Sequence, residues 1–220
     1  MTRVLVLRPE PGASATAVKA RALGLDAVAI PLFEIEAVGW QMPDAGSFDG
    51  VLLTSANAVR FGGERLQELR GVKVYAVGEA TAEAAREAGF DIASTGNSGV
   101  DRLLGSIEAE LKLLHLCGAD RREPEGARQS ITQVTVYRAV ETAAPDVNIG
   151  GAVALIHSSR AGRRFRHLAS DHGAISIAAI SAAASDAAGD GWKSVEIADE
   201  PTDEALLALA ARLCNKPDPE

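Results

Sequence analysis

The chain carries one pattern twice, and this repeat constrains the fold more than any other feature. Val51–Arg60 and Val153–Arg164 each run an apolar strand into polar residues and then a helix start. Setting Ser55 against Ser158, 103 positions apart, also brings Ala58 onto Ala161 and Arg60 onto Arg163. The echo continues downstream: Ala76–Phe90 matches Ala179–Trp192, and Gly99–Leu104 matches Pro201–Leu206. A repeat of about a hundred residues is the size of a small domain, so two similar units are expected.

Within each copy, short Leu- or Val-rich runs alternate with alanine-rich helical stretches, the pattern of parallel sheets covered by helices. Strands are expected at 3–7, 27–30, 50–53, 73–77, 91–93, 113–117, 152–156, 175–180 and 194–197. Ser14 is a candidate cap for a first helix through Ala22, and Gly24 can end that helix in the left-handed conformation. Gly71 and Gly89 are candidate helix ends, and Ser98–Asp101 has capping-box spacing. Pro31–Val38 and Ile131–Val140 alternate apolar and polar residues, as exposed or edge strands do, and Pro145 follows the second run.

The first two strands and their helix cannot cover both faces of a sheet alone. They are therefore expected to be completed by the last third of the chain. The predicted organisation is a discontinuous α/β domain, 1–34 plus 143–220, interrupted by an inserted α/β domain at 40–137. Connectors near 31–39 and 134–142 would form a two-stranded antiparallel linker, with the ligand bound in a cleft between the domains.

Composition narrows the function. The chain has 220 residues, 47% of them hydrophobic, which is enough for one or two real cores. Its 22 basic and 30 acidic residues leave a net charge of -8, the reverse of the excess a nucleic-acid binder uses to replace phosphate counterions. No apolar stretch is long enough to span a membrane, and Met1–Arg8 is too short and charged for a signal peptide. A cytoplasmic protein without membrane or nucleic-acid partners is expected. Cys117 and Cys214 lack CxxC spacing and read as reduced, buried thiols.

In open α/β sheets, ligands collect at the carboxyl ends of strands, where helix amino termini expose backbone N–H groups. Those ends here carry Arg8, Thr54 and Ser55, Gly78 and Thr81, Arg121 and Arg122, His157 with Ser158 and Ser159, and Ser181. Hydroxyl groups at helix starts can hold carboxylates, yet each alone reads first as an ordinary helix cap, and only their repetition in both halves favours a ligand. Arg60, Arg163, Arg164 and Arg166 read as a solvated helix face, and His115 as a strand residue. His167 and His172 have no partner cysteine, so no metal site is expected. Tyr137 could donate a proton to a leaving oxygen, or be an aromatic in a ribbon. P-loop, GxGxxG, GxSxG and HExxH signatures are all missing.

Six segments in order resemble the uroporphyrinogen-III synthase family: Leu53–Val59, Ala76–Ala82, Leu116–Arg122, Val136–Arg138, Ala179–Ala184 and Pro201–Leu207. The resemblance covers essentially the whole chain. It implies two flavodoxin-like parallel-sheet domains joined by the two-stranded linker, and no metal or organic cofactor. It further implies cyclisation of hydroxymethylbilane, an octacarboxylate, with loss of water and inversion of the terminal pyrrole ring through a spirocyclic intermediate. The product is uroporphyrinogen III, on the route to haem.

By the same resemblance, Tyr137 matches a tyrosine that assists departure of the hydroxyl. Ser55, Thr81 and Ser158 match polar cleft positions, with Ser159 a neighbour that could serve instead, and the family is one of monomers; Arg8, Gly78, Arg121 and Ser181 are expected to join them in substrate binding from their places at the strand ends. Two departures stand out. Ala183 and Ala184 replace residues that in the family are often hydroxylic, and His157 stands where an apolar or hydroxyl residue is more usual. A two-domain binding protein or sensor is the alternative class, separated from the enzyme by whether hydroxymethylbilane is converted to isomer III.

Overall fold

The structure, a computed structural model, describes residues 2–96, 99–121, 123–143 and 150–215. The predicted cap Ser98, Arg122 and Pro145 lie outside the described residues. The chain divides into two compact units: unit 1 is Met1–Glu34 with Glu141–Glu220, and unit 2 is Ile35–Val140.

Unit 1 is built on strands β1 (Arg3–Val6), β2 (Asp26–Ala29), β9 (Val153–Ile156), β10 (Ser176–Ala179) and β11 (Ser194–Ile197). They lie in the order β11-β10-β9-β1-β2, and every pairing is parallel. Counted along the unit, this is 2-1-3-4-5, the flavodoxin order. Helix α1 (Gly12–Ala22) and helix α7 (Asp203–Asn215) pack on one face, where Ala13, Ala17, Ala20, Leu206, Leu209 and Ala210 bury against Val4, Val6, Val153 and Leu155. Helices α5 (Ser159–Leu168) and α6 (Ala182–Ala188) follow β9 and β10.

Three local expectations for this unit are corrected. Helix α1 starts at Gly12 behind Pro11, so Ser14 lies inside the first turn and donates its hydroxyl to Glu10 Oε1 at 2.7 Å instead of capping. Proline suits a helix start because the missing N–H has no intrahelical partner there anyway. Arg164 is no solvated residue: its side chain is 12% exposed, pairs with Glu141, donates to the Thr142 carbonyl and approaches the Phe33 ring. Cys214 is only half-buried, whereas Cys117 is buried; both are free thiols.

Unit 2 contains β4 (Gly50–Leu53), β5 (Lys73–Val77), β6 (Ile92–Gly96), β7 (Lys112–Gly118) and most of β8 (Ser130–Glu141), with β3 (Phe33–Ala37) at the sheet edge. The order is β3-β8-β7-β4-β5-β6, and the pairings from β8 through β6 are parallel. Helices α2 (Ala56–Phe61), α3 (Glu79–Glu87) and α4 (Val100–Ser106) join these strands.

Strand β8 does more than connect. Its first half pairs in parallel with the whole of β7, from Lys112 with Ser130 to Gly118 with Tyr137. Its second half runs antiparallel to the β3 strand, as the bonds Val38 N–H to Val136 O and Thr142 N–H to Leu32 O require. The polar residues Thr132, Gln133 and Thr135 give this stretch the pattern of an exposed ribbon, yet Val136 is fully buried.

The repeat now has a structural meaning. Matching β4, β5 and β6 with β9, β10 and β11 leaves β7 and β8 equivalent to β1 and β2, so both units share one spatial order. In unit 1 the chain enters that order at the fourth strand. Each sheet therefore has one point where successive connections diverge to opposite sides, between β1 and β9 in unit 1 and between β7 and β4 in unit 2.

Candidate functional site

The carboxyl ends flanking such a divergence are where doubly wound sheets leave room for a ligand, because neighbouring helices start away from each other there. In unit 2 these ends are Leu53 on β4 and Gly118 on β7. Thr54 follows β4, and its hydroxyl lies 3.0 Å from His115 Nε2. His115 is 1% exposed, its Nδ1 has no partner, and burial together with the Arg121 charge pulls its pKa down to about 4. It is neutral at physiological pH and belongs to the sheet interior.

Ser55 has extended backbone and caps α2, accepting from the Asn57 N–H at 3.2 Å. Gly78 precedes α3 with φ +83, a left-handed conformation that a side chain would strain, and its carbonyl accepts from the N–H groups of Thr81 and Ala82. Thr81 sits in the first turn of that helix and is 5% exposed.

Tyr137 owes its position to a bulge. The β7–β8 register slips between Cys117 and Gly118, so Cys117 faces Thr135 while Gly118 faces Tyr137. The phenol ring then lies against Gly118, where a Cβ would come within 2.7 Å of Cε2 and Cζ and 3.0 Å of Oη. A bulge beside a functional group is a common way of re-aiming a side chain. Only glycine leaves the ring this place at the end of the β7 strand.

Arg121, nearby in sequence, is exposed, with Nε donating to Gln133 Oε1 at 2.7 Å and Nη1 to the Gly118 carbonyl at 3.4 Å. Glu123 approaches the same Nε at 3.4 Å. Arg121 is thus tied to the strands that carry Tyr137.

In unit 1 the corresponding ends carry Arg8 and His157. Ser158 caps α5 by accepting from the Ala161 N–H at 3.2 Å, and Ser181 caps α6 by accepting from the Ala184 N–H at 3.3 Å. Ser159 donates to the Ala183 carbonyl at 2.8 Å, joining the two helices. At all three capping serines the oxygen is occupied as an acceptor, and the O–H remains a donor.

The feature that the sequence reading missed is Asp203, at the start of α7. Its carboxylate accepts from Thr16 Oγ1 at 3.0 Å and from His157 Nε2 at 3.1 Å, with Arg8 Nη1 at 3.5 Å and Lys19 Nζ at 3.7 Å. Burial pushes this carboxyl up, but the hydrogen bonds from His157 and Thr16 and the charges of His157 and Arg8 outweigh it, so Asp203 titrates below its ordinary range. Its partners come from residues 8, 16, 19 and 157, far apart in sequence, so no local motif announces them.

The family model described as uroporphyrinogen-III synthase HemD matches residues 14–208. The chain belongs to the uroporphyrinogen-III synthase family. A relative from Chlorobaculum parvum, named uroporphyrinogen-III synthase, is 34% identical over 101 residues, covering 42% of this chain and 41% of that protein. The matched part thus spans less than half of that relative's length.

The solved structure of uroporphyrinogen-III synthetase from Helicobacter pylori has a similar fold, with a TM-score of 0.71, 18% identity, and coverage of 96% of this chain and 99% of that one. A mutant uroporphyrinogen III synthase from the extremely thermophilic bacterium Thermus thermophilus is also similar, with a TM-score of 0.58, 18% identity, and coverage of 98% and 100%. Like these structures, the chain is an α/β protein with two parallel-sheet portions. Among the described residues, no helix is long and apolar enough to cross a membrane.

Proposed function

We propose that this chain is a uroporphyrinogen-III synthase, a hydro-lyase that closes hydroxymethylbilane to uroporphyrinogen III with loss of water and inversion of the terminal ring. Family membership supports the reaction, and the observation that carries the residue assignment is the seating of Tyr137 on Gly118 at the strand divergence of unit 2. In this reading Tyr137 Oη gives a proton to the departing hydroxyl, which leaves as water.

Arg8 and Arg121 supply charge-assisted bonds to substrate carboxylates. The hydroxyls of Ser55, Thr81, Ser158, Ser159 and Ser181 and the backbone around Gly78 supply neutral donors. Catalysis then rests on holding a reactive, flexible chain in one geometry, since the substrate also closes unaided to the wrong isomer. The side chains suffice without a metal or cofactor, and the protein works as a monomer in the cytoplasm.

The test is incubation with enzymatically generated hydroxymethylbilane followed by separation of isomers I and III. Isomer III is expected, and isomer I alone would sink the reading. Tyr137→Phe is expected to lower kcat about 100-fold, the low end for a positioned general acid, while leaving the fold intact. Unchanged kinetics would remove the role of Tyr137.

A further inference from the structure

Arg8 is restrained on two sides. Its guanidinium stem lies on Gly12, where a Cβ would come within 2.6 Å of Nε, and its Nη1 faces Asp203 at 3.5 Å. Even so, 38% of the side chain stays open to solvent. A guanidinium has five donors in a rigid fork, so one contact of this length leaves most of the fork for an incoming anion.

Asp203, by contrast, is largely enclosed: its side chain is 16% exposed, and that of His157 is 8% exposed. Thr16 Oγ1 lies 3.0 Å from both carboxylate oxygens and shares its one proton between them. Lys19 is mainly engaged by the exposed Glu204 at 2.9 Å, so the tight donors to Asp203 are Thr16 and His157. The result is a rigid anion at the divergence point between β1 and β9, with one partly open cation leaning on it.

We propose that Asp203 is a positioning residue for the synthase reaction: anchored by Thr16 and His157, it holds the Arg8 guanidinium in the orientation that receives a substrate carboxylate. The inference rests on the synthase reading above. A surface acid that only favoured the amino terminus of α7 would not need a buried imidazole and a hydroxyl from another helix to orient it. Asp203 offsets part of the positive charge that a ligand would feel. In return it restrains a long side chain whose rotamer freedom would otherwise be lost on binding, an effect worth roughly tenfold in affinity.

The experiment is a double-mutant cycle on the full chain, with hydroxymethylbilane as substrate and isomer III as readout. Asp203→Asn keeps the shape and removes the charge. It is expected to raise KM about tenfold with kcat nearly unchanged. Arg8→Gln should raise KM at least as much, and the double variant should be no worse than Arg8→Gln alone, because Asp203 acts through Arg8.

Losses that multiply in the double variant, or an unchanged KM in Asp203→Asn, would overturn the proposal. Circular dichroism and thermal unfolding show whether each variant is folded. If Asp203→Asn does not fold, Thr16→Val takes its place: a smaller KM rise that vanishes in the Arg8→Gln background supports the role, and no change in KM refutes it. Wild-type protein that yields only isomer I fails both readings together. Wild-type isomer III with multiplicative losses fails the Asp203 role alone.

Discussion

Acid should weaken unit 2 through one residue, His115. Its ring is 1% exposed and its pKa falls from 6.5 to about 4, chiefly through burial. In the unfolded chain the imidazole protonates near 6.5, whereas in the folded unit it stays neutral down to about 4. Between these values the unfolded state binds the extra proton, so stability is complete above pH 6.5 and is lost as pH falls toward 4. At 1.36 kcal/mol per pH unit this downward shift is worth about 3 kcal/mol, most of it gone by pH 4.5.

His115→Gln removes the titration and can keep a hydrogen-bonding group near Thr54. The Asp203 carboxyl titrates below its ordinary range and so lies outside this window. The chain has two tryptophans, Trp40 in unit 2 and Trp192 in unit 1. In a Trp192→Phe background, urea unfolding followed by Trp40 fluorescence therefore reports unit 2. From pH 7.5 to 4.5, the protein with His115 should lose roughly 2–3 kcal/mol more than its His115→Gln counterpart. Parallel losses, within about 0.5 kcal/mol, would refute the reasoning, since the other histidines cancel in the comparison.

Two further substitutions separate positioning from architecture. Gly118→Ala sets a methyl 2.7 Å from the Tyr137 ring and is expected to cost about 1–3 kcal/mol by overpacking, with a drop in kcat approaching that of Tyr137→Phe; normal kcat in a folded variant would detach Tyr137 from its seat on Gly118. Ser158→Ala deletes the cap on the Ala161 N–H and should lower stability by about 1 kcal/mol and raise KM several-fold. A lowered Tm with unchanged KM would leave Ser158 a cap and nothing more.

The α/β class and the doubled unit were legible because a strand-and-hydroxyl pattern recurs at a fixed offset. Strand positions were legible wherever apolar runs were unbroken, as at Gly50–Leu53 and Val153–Ile156. What escaped the sequence was non-local. Strand β8 looked like a ribbon because Thr132, Gln133 and Thr135 interrupt its apolar face, yet pairing with β7 makes it a sheet strand. Asp203 carried no signal of its own because Thr16 and His157 meet it only after the chain has folded. Arg164 looked solvated because its helix is strongly polar, and only Glu141 and the Thr142 carbonyl reveal its place.

The order in which strands pair also sets a timetable for synthesis. Unit 2 is contiguous and has every strand available once the ribosome has passed residue 140. Strands β1 and β2 are made first, but β1 finds its other neighbour, β9, only when Val153 emerges. At typical translation rates the opening segment waits on the order of ten seconds, with Val4, Val6 and Ala17 still uncovered. During that interval β1 and β2 lack their sheet neighbour, while unit 2 already has all of its strands.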